Sequence, residues 1–321
     1  MRKARLKVGC DESSVYHCMS RIVAGEALLG LREKEVFRKQ MRYVADFCGV
    51  QVLTYCIMSN HFHILVRVPS ESEARQVDDR ELARRLRALY PKNEADGWLS
   101  RLDPDCEGSE ACRKRLLERM GDISAFMKEL KQRFSIWYNH AHHRFGTLWA
   151  ERFKSVLVEP APHALLTVAC YIDLNPVRAG LCEDPKDYRF CGYAEATAGG
   201  ENGRRGLVRL MEGKDWRAVV REYRLILFGR GYYTELGGQM GISPEKLEEV
   251  KRKGGELSLT ESLRCRVRYF TDGAAIGSRD YVERLFRERR ELFGKRRRTG
   301  ARKMGGGGWR DLYALRELRS P

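Results

Sequence analysis

The chain has no CxxC pair, no internal repeat, and no apolar run approaching the roughly 18 residues of a membrane span. Its 10 cysteines are scattered singly, which argues against a zinc ribbon. Cys48, Cys56 and Cys170 lie in apolar segments and read as small core residues of a reduced compartment. The opening stretch MRKARLKVGCDESSVYHCM carries positive charge with no apolar segment behind it, so no secretory signal is expected there. Acidic residues are in deficit. Lys and Arg number 60 against 44 Asp and Glu, a formal charge of +16 with a pI near 9.5. An excess of this size points to a polyanionic partner, nucleic acid before membrane. The expected setting is cytoplasmic.

Over 321 residues there is room for one large domain or two smaller ones. Residues 15–23, VYHCMSRIV, read as a strand. LREKEVFRKQMRYVADFC at 31–48 places Val36, Phe37, Met41, Val44 and Phe47 at helical spacing. TYCIMSNHFHILVRV follows, rich in β-branched and aromatic residues, and reads as a single buried strand. Strand, helix, strand in this order suggests an α+β sandwich. Residues 71–121 are polar and helical in pattern, an insertion or lid. A strong amphipathic helix, DISAFMKELKQRFSIWYN, then opens on Asp122 as a candidate N-cap, and KSVLVE is a further strand candidate. Beyond YAEATAGGENGRRG the composition shifts, so residues 196–206 are read as a linker. The remaining 207–321 read as a mainly helical, basic extension, of which 261–321 hold 17 Lys and Arg against 8 Asp and Glu.

Within MSNHFHILV, a strand would send His61 and His63 to the same side and Phe62 and Ile64 to the other. Two imidazoles converging in this way can chelate one cation. Taken alone, two hydrogen-bonded histidines are the plainer explanation. In HALLTVACYIDLNPVRAG, residues 163–180, Thr167, Tyr171 and Asn175 follow one another at four-residue spacing along one helix face. Pro176 pushes Asn175 away from helical geometry, so the last turn is expected to be irregular. By spacing alone, a tyrosine anchored near a helix end and an ordinary Asn stop account for the pattern.

MSNHFHILV, LKQRFSIWYN, GTLWAERFKSVLV, YIDLNPVRAG and DYRFCGY, in that order, resemble the REP-associated tyrosine transposases. These are single-tyrosine HUH nucleases, named for His, hydrophobic, His. The resemblance spans roughly residues 15–193 and departs from shorter members at the 71–121 insertion. It implies a ferredoxin-like antiparallel sheet with helices on one face in a catalytic domain over 1–195. It makes His61, His63 and Asn175 the ligands of a divalent cation, Mg²⁺ or Mn²⁺, and Tyr171 the nucleophile. The implied activity is cutting and rejoining of hairpin-forming single-stranded DNA through a 5′-phosphotyrosine link. No membrane and no small-molecule substrate enter this reading, and the chain would act as a monomer or weak homodimer, nucleoid-associated when bound to DNA.

Arg152, Lys154 and Arg178 flank the motifs and are candidate phosphate contacts, as are Lys295, Arg296, Arg297 and Arg298 of the basic run GKRRRTGARK. Tyr138 is a rival nucleophile read as structural, because it borders the buried stripe of its helix. His140, His142 and His143 sit in a polar turn rather than a metal site. Tyr16 and His17 match the opening of the family pattern without an assignable role. Two helices around TDGAAIG, with Ser278 as N-cap, hint at a helix-turn-helix. The alternatives to a transesterase are a non-catalytic nucleic-acid-binding protein of the same descent and a metal-dependent hydrolytic nuclease, which would cut without Tyr171.

Overall fold

Alternating apolar positions in the first part of the chain produce four strands: β1 (Ser14–Arg21), β2 (Gln51–Ile57), β3 (His61–Val68) and β4 (Lys154–Val158). The structure is a computed structural model, which describes residues 6, 12–213, 215–228, 269–305, 309 and 311–316. The segment expected as one strand around the histidines is two, because the chain reverses at Met58, Ser59 and Asn60 and pairs β2 with β3 antiparallel. β1 lies between β3 and β4, antiparallel to both. The β1–β2 connection is helix α1 (Leu31–Cys48). Between β3 and β4 come the insertion helices α2 (Glu71–Arg75), α3 (Asp79–Leu89), α4 (Lys92–Arg101) and α5 (Ser109–Leu117), then α6 (Ile123–Ala141). Asp122 caps α6, its carboxylate accepting from Ala125 N at 2.7 Å, as the sequence predicts.

Strand alternation divides the apolar residues into two cores. Cys18, Phe62, Ile64 and Val66 face Phe37, Met41 and Val44 of α1 and Phe126, Leu130 and Phe134 of α6. The opposite face carries Val15, Met19, Leu53, Leu65 and Val156. It is covered by α7 (Pro162–Asp173), joined through Leu174 to the one-turn α8 (Asn175–Arg178). Helices on one face therefore describes only the two long connections. α7 has apolar residues all round and needs a second cover, which α9 (Gly192–Thr197), α10 (Glu201–Met211) and α11 (Trp216–Phe228) supply.

The expected linker at 196–206 is the turn between α9 and α10 and much of α10 itself. Its glycines are contact points: a Cβ on Gly206 would lie 2.2 Å from the Leu53 carbonyl oxygen, and one on Gly203 2.7 Å from Ala196 N. Composition alone cannot separate a flexible glycine from one admitting close backbone approach.

The described C-terminal residues, expected to be mainly helical, extend the sheet. After α12 (Tyr269–Asp272) come β5 (Ala275–Gly277), α13 (Arg279–Glu288), β6 (Arg302–Lys303) and β7 (Tyr313–Leu315). The order is β2-β3-β1-β4-β5-β7-β6, with β5 parallel to β4 and the other pairs antiparallel. Part of TDGAAIG is thus a sheet strand, which removes the helix-turn-helix reading, most of whose first helix lies outside the described residues. Ser278 does cap α13, its hydroxyl accepting from Tyr281 N. The chain is a mixed α+β protein, and no helix among the described residues is long and apolar enough to cross a membrane.

Candidate active site

The register of β1 against β3 sets His17 opposite Leu65 and Met19 opposite His63, so His17 and His63 are diagonal neighbours on one face. His61 is two residues from His63 on the same face, opposite Arg21. That face is the one α7 covers, and the sheet packing turns Tyr171 of α7 toward the imidazoles. The Tyr171 ring centre lies 6.0 Å from that of His63 and 6.1 Å from that of His17. Two residues 108 positions apart in sequence, His63 and Tyr171, thus form one buried cluster, Tyr171 being 3% exposed. Phe270 of α12 closes its side, ring centres 4.4 Å apart, so the C-terminal region contributes to the site.

Burial dominates the electrostatics. His17 and His63 are both buried, and desolvation lowers His17 to about 3 and His63 well below the usual histidine range, with Arg178 adding a like-charge push on each. Both rings are neutral at physiological pH, the state in which imidazole donates a lone pair to a metal. His17 Nε2 and His63 Nδ1 are 2.8 Å apart and share one proton. His61 Nδ1 is 2.6 Å from Asn60 Oδ1. Asn60 Nδ2 donates to the Gly25 carbonyl at 3.0 Å, which sets the amide orientation and leaves its oxygen to accept from His61. His61 therefore carries a proton on Nδ1.

A ring bound to a cation through nitrogen has its centre about 3 Å from the ion, so two such rings sit no more than about 6 Å apart. His61 and His63 are 5.2 Å apart with planes at 89°, which satisfies that limit. Asn175 follows the break at Leu174, is buried, and its Nδ2 has no hydrogen-bond partner. Turning the amide over would place a carbonyl oxygen, a hard-cation donor, in that orphaned position. The contacts bring His61, His63 and Tyr171 together, whereas Asn175 is placed only by its position one turn beyond Tyr171. A cage of three or more His, Cys, Asp or Glu side chains is absent among the described residues.

Arg178, read from sequence as a phosphate contact, lies against the nucleophile candidate. Its guanidinium carbon is 4.0 Å from the Tyr171 ring centre, and its Nη2 donates to the Tyr171 carbonyl at 2.7 Å. Asp173, which the sequence analysis passed over, anchors the same helix. Its fully buried carboxylate accepts from Thr54 Oγ1 (2.8 Å), Tyr193 N (3.2 Å) and Tyr223 Oη (2.6 Å), and burial raises it to about 6. His17 was also legible only in part: it shares the parity of Val15 and Met19, but its partner lies on another strand.

The other candidates fall elsewhere. Tyr138 is buried in the opposite core, its ring stacked 4.2 Å from His142, and His142 Nε2 lies 3.1 Å from Glu33 Oε1. The insertion helices also belong to that core through Leu82, Leu86 and Leu116, and do not cover the histidines. Arg152 is exposed, and Lys154 pairs with Glu151 at 3.2 Å and Asp272 at 3.8 Å. Lys295, Arg296 and Arg298 are exposed in the turn before β6. Arg297 is turned inward, donating to the carbonyls of Thr299, Gly300 and Arg316 and lying over Phe286 and Phe293, so it pins the turn rather than reaching outward.

No protein-family model matches this chain, and no curated protein matches it. Among solved structures, it is similar to that of a REP-associated tyrosine transposase bound to a REP hairpin. The identity is 14% over 61% of this chain and 87% of that one, with a TM-score of 0.38.

Proposed function

We propose that this protein is a single-stranded DNA transesterase that cuts and rejoins hairpin-forming DNA through Tyr171. The observation carrying the proposal is the convergence of Tyr171 with His63 and His17 in one buried cluster, with a cation over the phenol. A free phenol has a pKa near 10 and is a modest nucleophile, so the charge developing on its oxygen has to be stabilised. The Arg178 guanidinium over the ring supplies fixed positive charge at that place. Tyr171 Oη attacks phosphorus, the bond from phosphorus to the 3′ oxygen breaks, and that oxygen takes up a proton as a 3′-hydroxyl. The phenolic proton passes to solvent. The resulting 5′-phosphotyrosine keeps the bond energy, and a second 3′-hydroxyl reseals the strand by the reverse displacement without ATP. His61, His63 and Asn175 would hold a divalent cation, Mg²⁺ or Mn²⁺, which when bound polarises a non-bridging phosphate oxygen. The surrounding architecture is read as ferredoxin-like: β1, α1, β2, β3, α6 and β4 in chain order, with strand order β2-β3-β1-β4. The basic surface, including Arg152, Lys295, Arg296 and Arg298, would take the DNA backbone.

The burial of Tyr171 favours one competing reading, a hairpin-binding protein that does not cut, because the phenol is covered as the chain stands. The deciding experiment incubates purified protein with labelled single-stranded hairpins and Mg²⁺ or Mn²⁺, followed by denaturing electrophoresis. A metal-dependent adduct lost in Tyr171→Phe and in His61→Ala/His63→Ala is expected. Cutting without an adduct, unchanged in Tyr171→Phe, would mean a hydrolytic nuclease. Hairpin binding with no cutting in either metal would favour the binding protein.

A further inference from the structure

We propose that Phe145 is a stacking platform for an unpaired base of single-stranded DNA, with Arg21 holding the phosphate chain between that base and the histidines. This rests on the reading of the His61, His63 and Tyr171 cluster as a DNA site, and it names a contact outside that cluster.

At 94% exposure, Phe145 is the most open large apolar side chain among the described residues. One exposed ring needs no explanation by itself, but this one is presented by a built turn. Arg144 N donates to the Asn139 carbonyl at 2.9 Å, and Asn139 Nδ2 donates to the Gly146 carbonyl at 3.0 Å. A single residue of α6 therefore clamps the chain on both sides of the ring. His143 takes a φ of +48°, which costs a residue with a Cβ free energy, and Gly146 takes +88°.

The turn is joined to the candidate site through the sheet. Val23 N donates to the Leu148 carbonyl, Ala150 N donates to the Arg21 carbonyl, and Ile22 faces Trp149 across an antiparallel bridge. On the other side of β1, Arg21 stands opposite His61, so the two side chains share a face. Neighbouring strands are about 4.8 Å apart, which puts Trp149 roughly 10 Å from His61. Four residues of chain add at most about 14 Å. The Phe145 backbone is thus within about 24 Å of His61, a span that about seven stacked nucleotides cover at 3.4 Å each.

Positive charge lines this path. Arg21 is exposed and pairs with no carboxylate among the described residues. Arg32 and Arg152 are exposed at the same end, and Arg144 is half-buried. The acids there are Glu26 and Glu151, and Glu151 is taken by Lys154. Leu31 and Ile136 are also exposed, beside the Arg32 guanidinium that lies over Trp137, and would suit a protein contact. Arginines in this number next to the histidines favour a polyanion instead. A phenyl ring between cations is how single strands are held without reading their sequence, because every base has a π-face.

The test measures binding by fluorescence anisotropy in EDTA, where no metal-dependent cutting competes. The probes are a DNA hairpin with single-stranded flanks of about 10 nucleotides and the same hairpin without flanks. Phe145→Leu should weaken binding of the flanked hairpin roughly 5- to 100-fold and leave the blunt one within about twofold. Phe145→Trp should stay within about threefold of wild type on both. Circular dichroism checks that the fold is intact. 2-Aminopurine moved along the flanks should be quenched at a single place in wild type and Phe145→Trp, and nowhere in Phe145→Leu. Arg21→Gln should lower the slope of log affinity against log salt by about 0.7 for the flanked hairpin, and an unchanged slope would take Arg21 out of the path. Equal affinity of Phe145→Leu and wild type for the flanked hairpin, or equal loss on both hairpins, would overturn the platform. Self-association lost in Phe145→Leu by sedimentation, with DNA affinity unchanged, would assign the ring to a protein contact. Failure to form a DNA adduct with metal present would reject the transesterase reading and leave these affinities standing, whereas a wild type that binds neither hairpin would reject both.

Discussion

Arg178 lies with its guanidinium carbon 4.0 Å from the centre of the Tyr171 ring and donates to the Tyr171 carbonyl at 2.7 Å. The turn of chain between them contains the break at Leu174, where φ is −82° and ψ is 2°. That break places a residue seven positions on over the ring instead of leaving it further along the helix. A cation in this position stabilises a phenolate more than a phenol. Arg178→Met should slow adduct formation roughly tenfold or more, a cation–π contact in a desolvated site being worth about 2 kcal/mol. Single-turnover rates at saturating hairpin read the effect, and equal rates would remove Arg178 from the chemistry.

Asp173 holds α7 to three other elements through Thr54, Tyr193 and Tyr223. Asp173→Ala strands two buried hydroxyls and should cost about 3 kcal/mol of stability. Asp173→Asn keeps most of the hydrogen bonds and should cost clearly less. Urea denaturation of both variants checks the order.

Gly206→Ala sets a methyl carbon against the Leu53 carbonyl, where a Cβ has only 2.2 Å. Either α10 lifts from β2 or the strand shifts. A loss of about 2 kcal/mol in denaturant is expected. An unchanged midpoint would mean that residues 196–206 do behave as a linker.

Lys131 is the pH probe. Its ammonium donates to Ser20 Oγ and to the Glu151 carbonyl, both at 2.8 Å, and burial lowers it to about 8 from an ordinary 10.5. Below pH 8 the folded state bears the whole cost of a desolvated charge. Between about pH 8 and 10.5 the folded state gives up its proton before the unfolded state does, so this group's contribution to stability rises with pH. The stability of wild type relative to Lys131→Met should therefore improve across that window and be flat from pH 6 to 7. A difference that stays constant from pH 6 to 10 would contradict the assignment.

Much of the architecture was legible from local pattern. The helix over 31–48, the Asp122 cap, the strand at KSVLV and the irregular turn before Pro176 follow from periodicity, capping chemistry and proline sterics, which act over a few residues. The strand reading of the histidines held, but the turn at Met58–Asn60 was missed: Ser59 and Asn60 are turn-forming residues, and the continuous apolar run on either side of them masked that signal. The glycines at 203 and 206 misled for the converse reason: composition cannot distinguish freedom from crowding.

For the candidate site, the order of residues along the chain determined that His61 and His63 share a side, and that Tyr171 and Asn175 lie about one turn apart. It could not determine which residues meet them. His17 reaches His63 because of the β1–β3 register, and Phe270 reaches Tyr171 because the C-terminal segment extends the sheet beyond β4. Arg178 reads from sequence as a phosphate contact, and only the break at Leu174 shows it lying over the tyrosine. Local spacing follows from bond geometry and is written in the sequence. Register and layer order are decided by packing between distant segments, and only the tertiary structure supplies them.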